Sequence, residues 1–178
     1  MKIKLSNVRL SFASLFNKAS FNGQETKFEG TFLIDKKSGK KDIVKLQTAV
    51  KSLIAEKLEG VKLKSDKICI KDGDLEDYEG YEGTMSVKAS NNVRPTIINK
   101  DKSQLSDEDG VIYSGCYVNA VIELWAQDNN YGKRINANLL GVQFVKDGDN
   151  FGTGAKVASD DDFDDISDGS EEDDDSPF

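Results

Sequence analysis

The 178-residue chain contains no histidine. That removes the Ser-His and Cys-His nucleophile arrangements, and with them histidine ligation of a metal. Its two cysteines, Cys69 in "KICIK" and Cys116 in "SGCYVNAV", do not stand at metal-ligand spacing. Both sit in apolar stretches and read as small core residues in a reducing compartment. No apolar run approaches the roughly 20 residues of a membrane span. The opening "MKIKLSNVRLSF" alternates like a strand and has no signal-peptide core. The expectation is a cytoplasmic, non-enzymatic protein with no membrane partner, no metal and no cofactor. Hydrophobic residues make up 37% of the chain, low for one that folds throughout, so part of it should lie outside the folded body.

Basic residues are absent from the end of the chain. Ser159 to Phe178 carry eleven acids and no Lys or Arg, whereas residues 1–158 hold all 24 basic residues against 21 acids. The net charge of −8 therefore conceals a body of +3 and a tail of −11. A mildly basic body with a strongly acidic tail points to nucleic-acid work. Within the body, residues 1–71 hold 16 basic and 7 acidic residues, and "DGDLEDYEGYE" then contributes six acids. That stretch fails the calcium-loop pattern, because Asp77 stands where the loop needs Gly and Gly83 where it needs a bidentate Glu. It reads as a solvated acidic loop. "GTGAK" lacks both the spacing of a phosphate-binding loop and a following helix.

Periodicity supplies the elements. "KIKLSNVRLSF" reads as a strand whose register slips, with Ile3 and Leu5 on one face and Val8, Leu10 and Phe12 on the other. A bulge near Ser6–Asn7 accounts for the slip. "KFEGTFLID" is a strand, and "KKDIVKLQTAVKSLIAEKLEG" is an amphipathic helix ended by Gly60. "TMSVKAS" and "RPTIIN" are strands, the second placed at an edge by Pro95. "VIYSGCYVNAVIELWAQ" alternates throughout, with Ile112, Cys116, Val118, Ala120, Ile122 and Leu124 inward. "DNNYG" turns the chain, and "KRINANLLGVQFV" returns with a second slip near Leu139–Gly141. Bent strands, one helix and long loops fit a mainly β, OB-fold-like barrel over residues 1–146. Residues 147–158 read as a Gly-rich linker and 159–178 as a disordered acidic tail.

Single-stranded nucleic acid presents a charged backbone and flat bases. A sequence-independent binder meets them with Lys and Arg along a groove and with outward aromatics. Tyr113, Tyr117 and Trp125 share the less apolar face of the long strand, Tyr131 lies in the turn, and Lys133 and Arg134 open the facing strand. Lys88 lies on the polar face of its strand beside Ser86 and Ser90, and Arg94 opens the next. Lys36 and Lys37, with Lys40 and Lys41, form a basic cluster at the helix start: a solvated loop, or a rim that holds phosphates. Each aromatic alone also reads as packing beneath a loop. Their coincidence with the cations is what points to a binding surface. Phe12 reads as core.

The last six residues are "DDDSPF". They resemble the terminal "DDDIPF"-like peptide of bacterial single-stranded-DNA-binding proteins. Asp173, Asp174, Asp175, Pro177 and Phe178 match in place, and Ser176 departs by replacing an apolar residue. In such a peptide the Phe fills an apolar pocket, its carboxylate pairs with a basic rim and the acids steer approach. The body is different from the bacterial protein. "RLSF", "YSGCYVNAVIELWA" and "LLGVQFVKDGD" resemble the phage-encoded single-stranded-DNA-binding proteins, an OB-fold family with an acidic C-terminus, over most of residues 1–146. The resemblance implies a coat for single-stranded DNA in phage replication or recombination, in the host cytoplasm, with the tail recruiting replication proteins. Monomer and dimer both stay open. The rival is an acidic adaptor or DNA mimic whose body binds another protein. A mimic should carry its acids on the folded body, and this body is net basic.

Overall fold

The computed structural model describes residues 1–151 and 160–167. Its first strand, β1 (Lys2–Ser14), runs through both slips the chain makes there. Opposite the eighth strand its register shifts between Leu5 and Val8. Asn7 takes φ 52° at that point, and its N–H donates to Asn119 Oδ1 at 3.0 Å. The bulge is thus where the broken alternation puts it. A second irregularity lies between Ser11 and Ser14, with Phe12 at φ 48°.

A minor hairpin, β2 (Ser20–Phe21) with β3 (Gln24–Glu25), decorates the loop to β4 (Phe28–Asp35). The helix α1 (Lys40–Lys57) follows, then β5 (Ile70–Asp72), β6 (Thr84–Asn91), β7 (Thr96–Ile98), β8 (Tyr117–Asn129) and β9 (Gly132–Lys146). β1 pairs with β4 and β8, β4 with β6, and β8 with β9, all antiparallel. One parallel pair, Ser90 opposite Asn138, joins β6 to β9 and closes a five-stranded barrel. This is the expected mainly β, OB-type architecture. β7, just after Pro95, pairs with β9 alone among named strands, as an edge strand should. The slip near Leu139–Gly141 is also present: Val121 faces Gly141 while Ile122 faces Leu139, which leaves Leu140 as the extra residue.

The barrel core is the inward set of the five barrel strands, β1, β4, β6, β8 and β9. Leu5, Leu10, Phe32, Val87, Val118, Ile122, Ile135 and Leu139 are fully or almost fully buried. α1 adds Leu46, Ala49, Val50 and Leu53 from one stripe. Its buried Asp42 accepts the Ser6 N–H at 3.0 Å, so the helix is seated on the β1 bulge. The long alternating segment becomes a strand only from Tyr117. Before it, Gly115 at φ 116° donates to the Leu10 carbonyl, and Leu10 donates to the Cys116 carbonyl.

Where β6 and β9 diverge beyond their single pair, residues 67–71 fill the gap. The Cys69 N–H donates to the Ile135 carbonyl at 3.0 Å, and the Lys88 N–H donates to the Cys69 carbonyl at 3.1 Å. Residues 68 and 69 thereby bridge β6 and β9, and Ile68 and Cys69 floor a recess in the barrel wall. Beyond β9, residues 147–151 lie against the barrel, although the Gly-rich composition predicts a linker from 147. Among residues 160–167 a short 3-10 turn, Asp160–Asp162, leads to exposed Phe163 and Ile166. The terminal peptide with Asp173, Asp174, Asp175, Pro177 and Phe178 lies outside the described residues.

Candidate nucleic-acid interface

The splay between β6 and β9 makes an open groove of about 590 Å³. β4 contributes Glu29 and Thr31, with Lys27 just before it, and β6 contributes Ser86, Lys88 and Ser90. The tip half of the β8–β9 hairpin contributes Trp125, Gln127, Arg134, Asn136 and Asn138. These five share one face because Trp125 pairs with Asn136 and Gln127 with Arg134. Lys67 and Lys71 flank the floor. The cations of the groove are Lys27, Lys67, Lys71, Lys88 and Arg134, against the carboxylates of Glu29, Asp66 and Glu76. Among the described residues, Lys88 is the one of these five with an ion-pair partner, Glu29 at 3.5 Å, and Lys88 is well exposed. That pair is weak and water-screened, so the groove keeps cationic heads free for phosphates.

Aromatic faces stand at both walls. Trp125 is 38% exposed, and its Nε1 donates to Asn138 Oδ1 at 3.1 Å, which fixes the ring's tilt. Opposite are Phe12 and Tyr78, about half exposed, packed edge-on at 5.1 Å between centroids. Tyr81 lies beneath them, buried, 5.1 Å from Tyr78 and 6.5 Å from Phe12. Its hydroxyl donates to Ser11 Oγ at 3.0 Å, and burial raises its pKa. Tyr81→Phe should therefore cost about 1 kcal/mol of stability, because it leaves the buried Ser11 hydroxyl short of a partner. A thermal melt in which the variant matches the parent would show the bond contributes nothing. Cys69, on the floor, has its thiol pushed up to about 12 by burial. It is neutral packing and no nucleophile.

The structure brings Lys88, Trp125 and Arg134 together in this groove. The other residues singled out from the sequence lie elsewhere. Tyr131 is 87% exposed at the tip of the β8–β9 hairpin. Lys133 alternates to the other face of β9 and stands opposite Asp128. Lys36 is held by Asp72 at 2.7 Å and Asp74 at 2.6 Å, which raises its pKa and lowers that of Asp72, while Asp74 is lowered first by the Gly83 N–H and then by Lys36. Lys37 is exposed beside it, its N–H donating to Asp35 Oδ1. Arg94 donates to the Phe16 carbonyl and lies over the Phe28 ring. Tyr113 is held by the segment 147–151, its hydroxyl contacting Asp147 and Gly148, and the Arg9 and Lys146 cations lie over the Tyr117 ring.

Phe12 corrects the core reading, since it is 54% exposed. Tyr78, Tyr81, Lys67 and Lys71 were not found from the sequence. The signals were present, as two lysines flanking "ICI" and two tyrosines three apart, but the surrounding acids concealed the tyrosines.

A family model described as "Enterobacter phage Enc34, ssDNA-binding protein" matches residues 1–176. The chain belongs to this Enc34 phage family. A protein designated p50, from Acyrthosiphon pisum secondary endosymbiont phage 1, is 42% identical over 97% of each chain. The solved single-stranded DNA-binding protein from bacteriophage Enc34 is 34% identical, with a TM-score of 0.76 over 91% of this chain and 90% of that one. The same phage protein solved in complex with ssDNA is 36% identical, with a TM-score of 0.72 over 85% and 89%. The resemblance to phage-encoded single-stranded-DNA-binding proteins read from "RLSF" and "YSGCYVNAVIELWA" is therefore correct for the Enc34 family. The match extends to the segment at 147–151, so this Enc34 family member is related across its whole body and not through the barrel alone.

Proposed function

We propose that the chain binds single-stranded DNA without sequence preference in the β6–β9 groove. Trp125, Phe12 and Tyr78 would stack bases, and Lys27, Lys67, Lys71, Lys88 and Arg134 would hold phosphates. The observation that carries this reading is the groove itself, where exposed aromatic rings and five cations line one open trench. Open faces that take any base, and point charges that take any phosphate, give affinity with no sequence readout. The ssDNA complex of a relative supports the same ligand. The family model and the solved Enc34 protein are both described as ssDNA-binding proteins. No helix among the described residues is long and apolar enough to cross a membrane.

The wider role we infer is the coating and protection of single strands during phage replication or recombination. The acidic end would engage replication proteins through Asp173, Asp174, Asp175, Pro177 and Phe178, and compete with DNA for the body. Two measurements test this. Fluorescence anisotropy with a labelled single-stranded oligonucleotide should show binding that weakens with salt, and a duplex of the same sequence should bind far less. Equal affinity for duplex would overturn the groove reading. Deleting residues 159–178 removes eleven negative charges and should tighten single-strand binding, more so at low salt, where the screening length is about 30 Å rather than about 10 Å. Identical low-salt affinities would mean the tail does not compete.

A further inference from the structure

Arg9 of β1 is held from several directions by the end of the body. Its Nε donates to the Gly115 carbonyl at 3.0 Å and its Nη2 to the Asp149 carbonyl at 2.7 Å. The guanidinium lies 3.9 Å from the Phe151 ring centroid and 5.8 Å from that of Tyr117. The Phe151 N–H donates to the Ser114 carbonyl at 3.0 Å. The seat has no room for side chains. A Cβ on Gly115 would stand 2.1 Å from the Asp149 oxygen, and one on Gly148 would stand 2.2 Å from the Gly115 oxygen. On Gly80 it would meet the Phe151 ring at 2.4 Å.

The contact at Gly80 links this strap to the groove. Gly80, at φ 83°, stands between Tyr78 and Tyr81. Those two rings and Phe12 form one wall of the groove, tied to β1 by the Tyr81–Ser11 bond. Phe151 does not line the groove. It packs against the wall's loop at Gly80, and Arg9 holds it there by a close cation–π contact.

We propose that Phe151, clamped on Arg9, is a positioning residue for single-strand binding: it sets the Tyr78–Phe12 wall by bearing on Gly80. This rests on the groove reading above. Phe151 does its work without touching DNA, and its loss lets the loop that carries Tyr78 move away from the trench.

The test is an anisotropy titration of a labelled oligo-dT into the full chain and four variants: Phe151→Ala, Phe151→Tyr, Tyr78→Ala and the double Phe151→Ala/Tyr78→Ala. Phe151→Ala should weaken binding about two- to tenfold, the range that one aromatic contact spans. Phe151→Tyr keeps the ring and should bind like the parent. The double variant should bind no worse than Tyr78→Ala alone, because both changes act on one wall. Thermal melts and far-ultraviolet circular dichroism establish that each variant is folded. Should Phe151→Ala not fold, Phe151→Leu carries the same comparison, since it keeps apolar bulk without a ring over Arg9. A Phe151 variant that melts lower yet binds normally, while Tyr78→Ala binds weakly, would overturn the inference. So would fully additive losses. Parent-like binding by Tyr78→Ala would instead overturn the aromatic wall itself.

Discussion

Trp125→Ala should weaken single-strand binding by about 1–3 kcal/mol, a rise in Kd of roughly 5- to 150-fold, while the barrel stays folded. Trp125 stands on the polar face of β8, partly exposed, beside core residue Leu124 but not among the core itself. Its one hydrogen bond goes to Asn138, another groove residue, so truncation strands no buried group. The lost face is sequence-neutral, and the penalty should be similar for oligo-dT and oligo-dC. Trp125→Phe keeps a face without the indole N–H and should recover most of the affinity. Anisotropy titration with a parallel thermal melt decides between outcomes. A variant that unfolds would place Trp125 in the packing, and a folded variant with parental affinity would remove it from the site.

Replacing Lys67, Lys71, Lys88 and Arg134 together by Gln should act through salt rather than through a constant penalty. Each cation that holds a phosphate releases about 0.7 of a counterion from a single strand, so four should lower the log–log salt slope by almost 3 units. One decade below 1 M salt, that slope corresponds to between about two and three decades of affinity. At 1 M salt parent and variant should converge, because the stacking faces are untouched. Stability should change little, since of these four only Lys88 has an ion pair among the described residues, and it is an exposed one. A salt titration with an unchanged slope would show that phosphates run elsewhere on the body. The exposed Lys37 and Tyr131 would then be the next residues to test.

The fold was legible where one physical pattern dominated. The broken alternation at Ser6–Asn7 and at Leu139–Gly141 located both bulges, because a residue left over in a ladder must shift side chains to the other face. The stripe of Leu46, Val50 and Leu53 gave the helix, and Pro95 gave the edge strand. The site was less legible. Parity along β8 correctly put Tyr117 and Trp125 on one face. A curved barrel turns such a face through a wide arc, and parity does not say where along that arc a residue ends. Tyr117 therefore ends against Arg9 and Lys146, away from the groove, while Trp125 overlooks it. Phe12 shares its parity with buried Leu10, but a positive φ at Phe12 itself turns the ring out, and nothing in the residue type announces that conformation. Tyr78 and Tyr81 sit among acids with no period to follow. Only the contact with Phe12 reveals their place.

The pairing of β1 also has a consequence in time. One edge of β1 meets β4 within a few dozen residues, but the other meets β8, with Lys2 opposite Glu123. On a nascent chain that second edge has no partner until β8 has been made. β1, β4 and β6 can assemble first as an antiparallel meander, and the barrel shuts only when the β8–β9 hairpin arrives to fill the space between β6 and β1. Pairings this distant in sequence make closure slow, on the scale of milliseconds to seconds. Until then β1 is an open edge, prone to recruit a strand from another chain. Exposed Lys2 and Lys4 lie on that waiting edge, and their charge repels an identical strand before the rightful neighbour emerges.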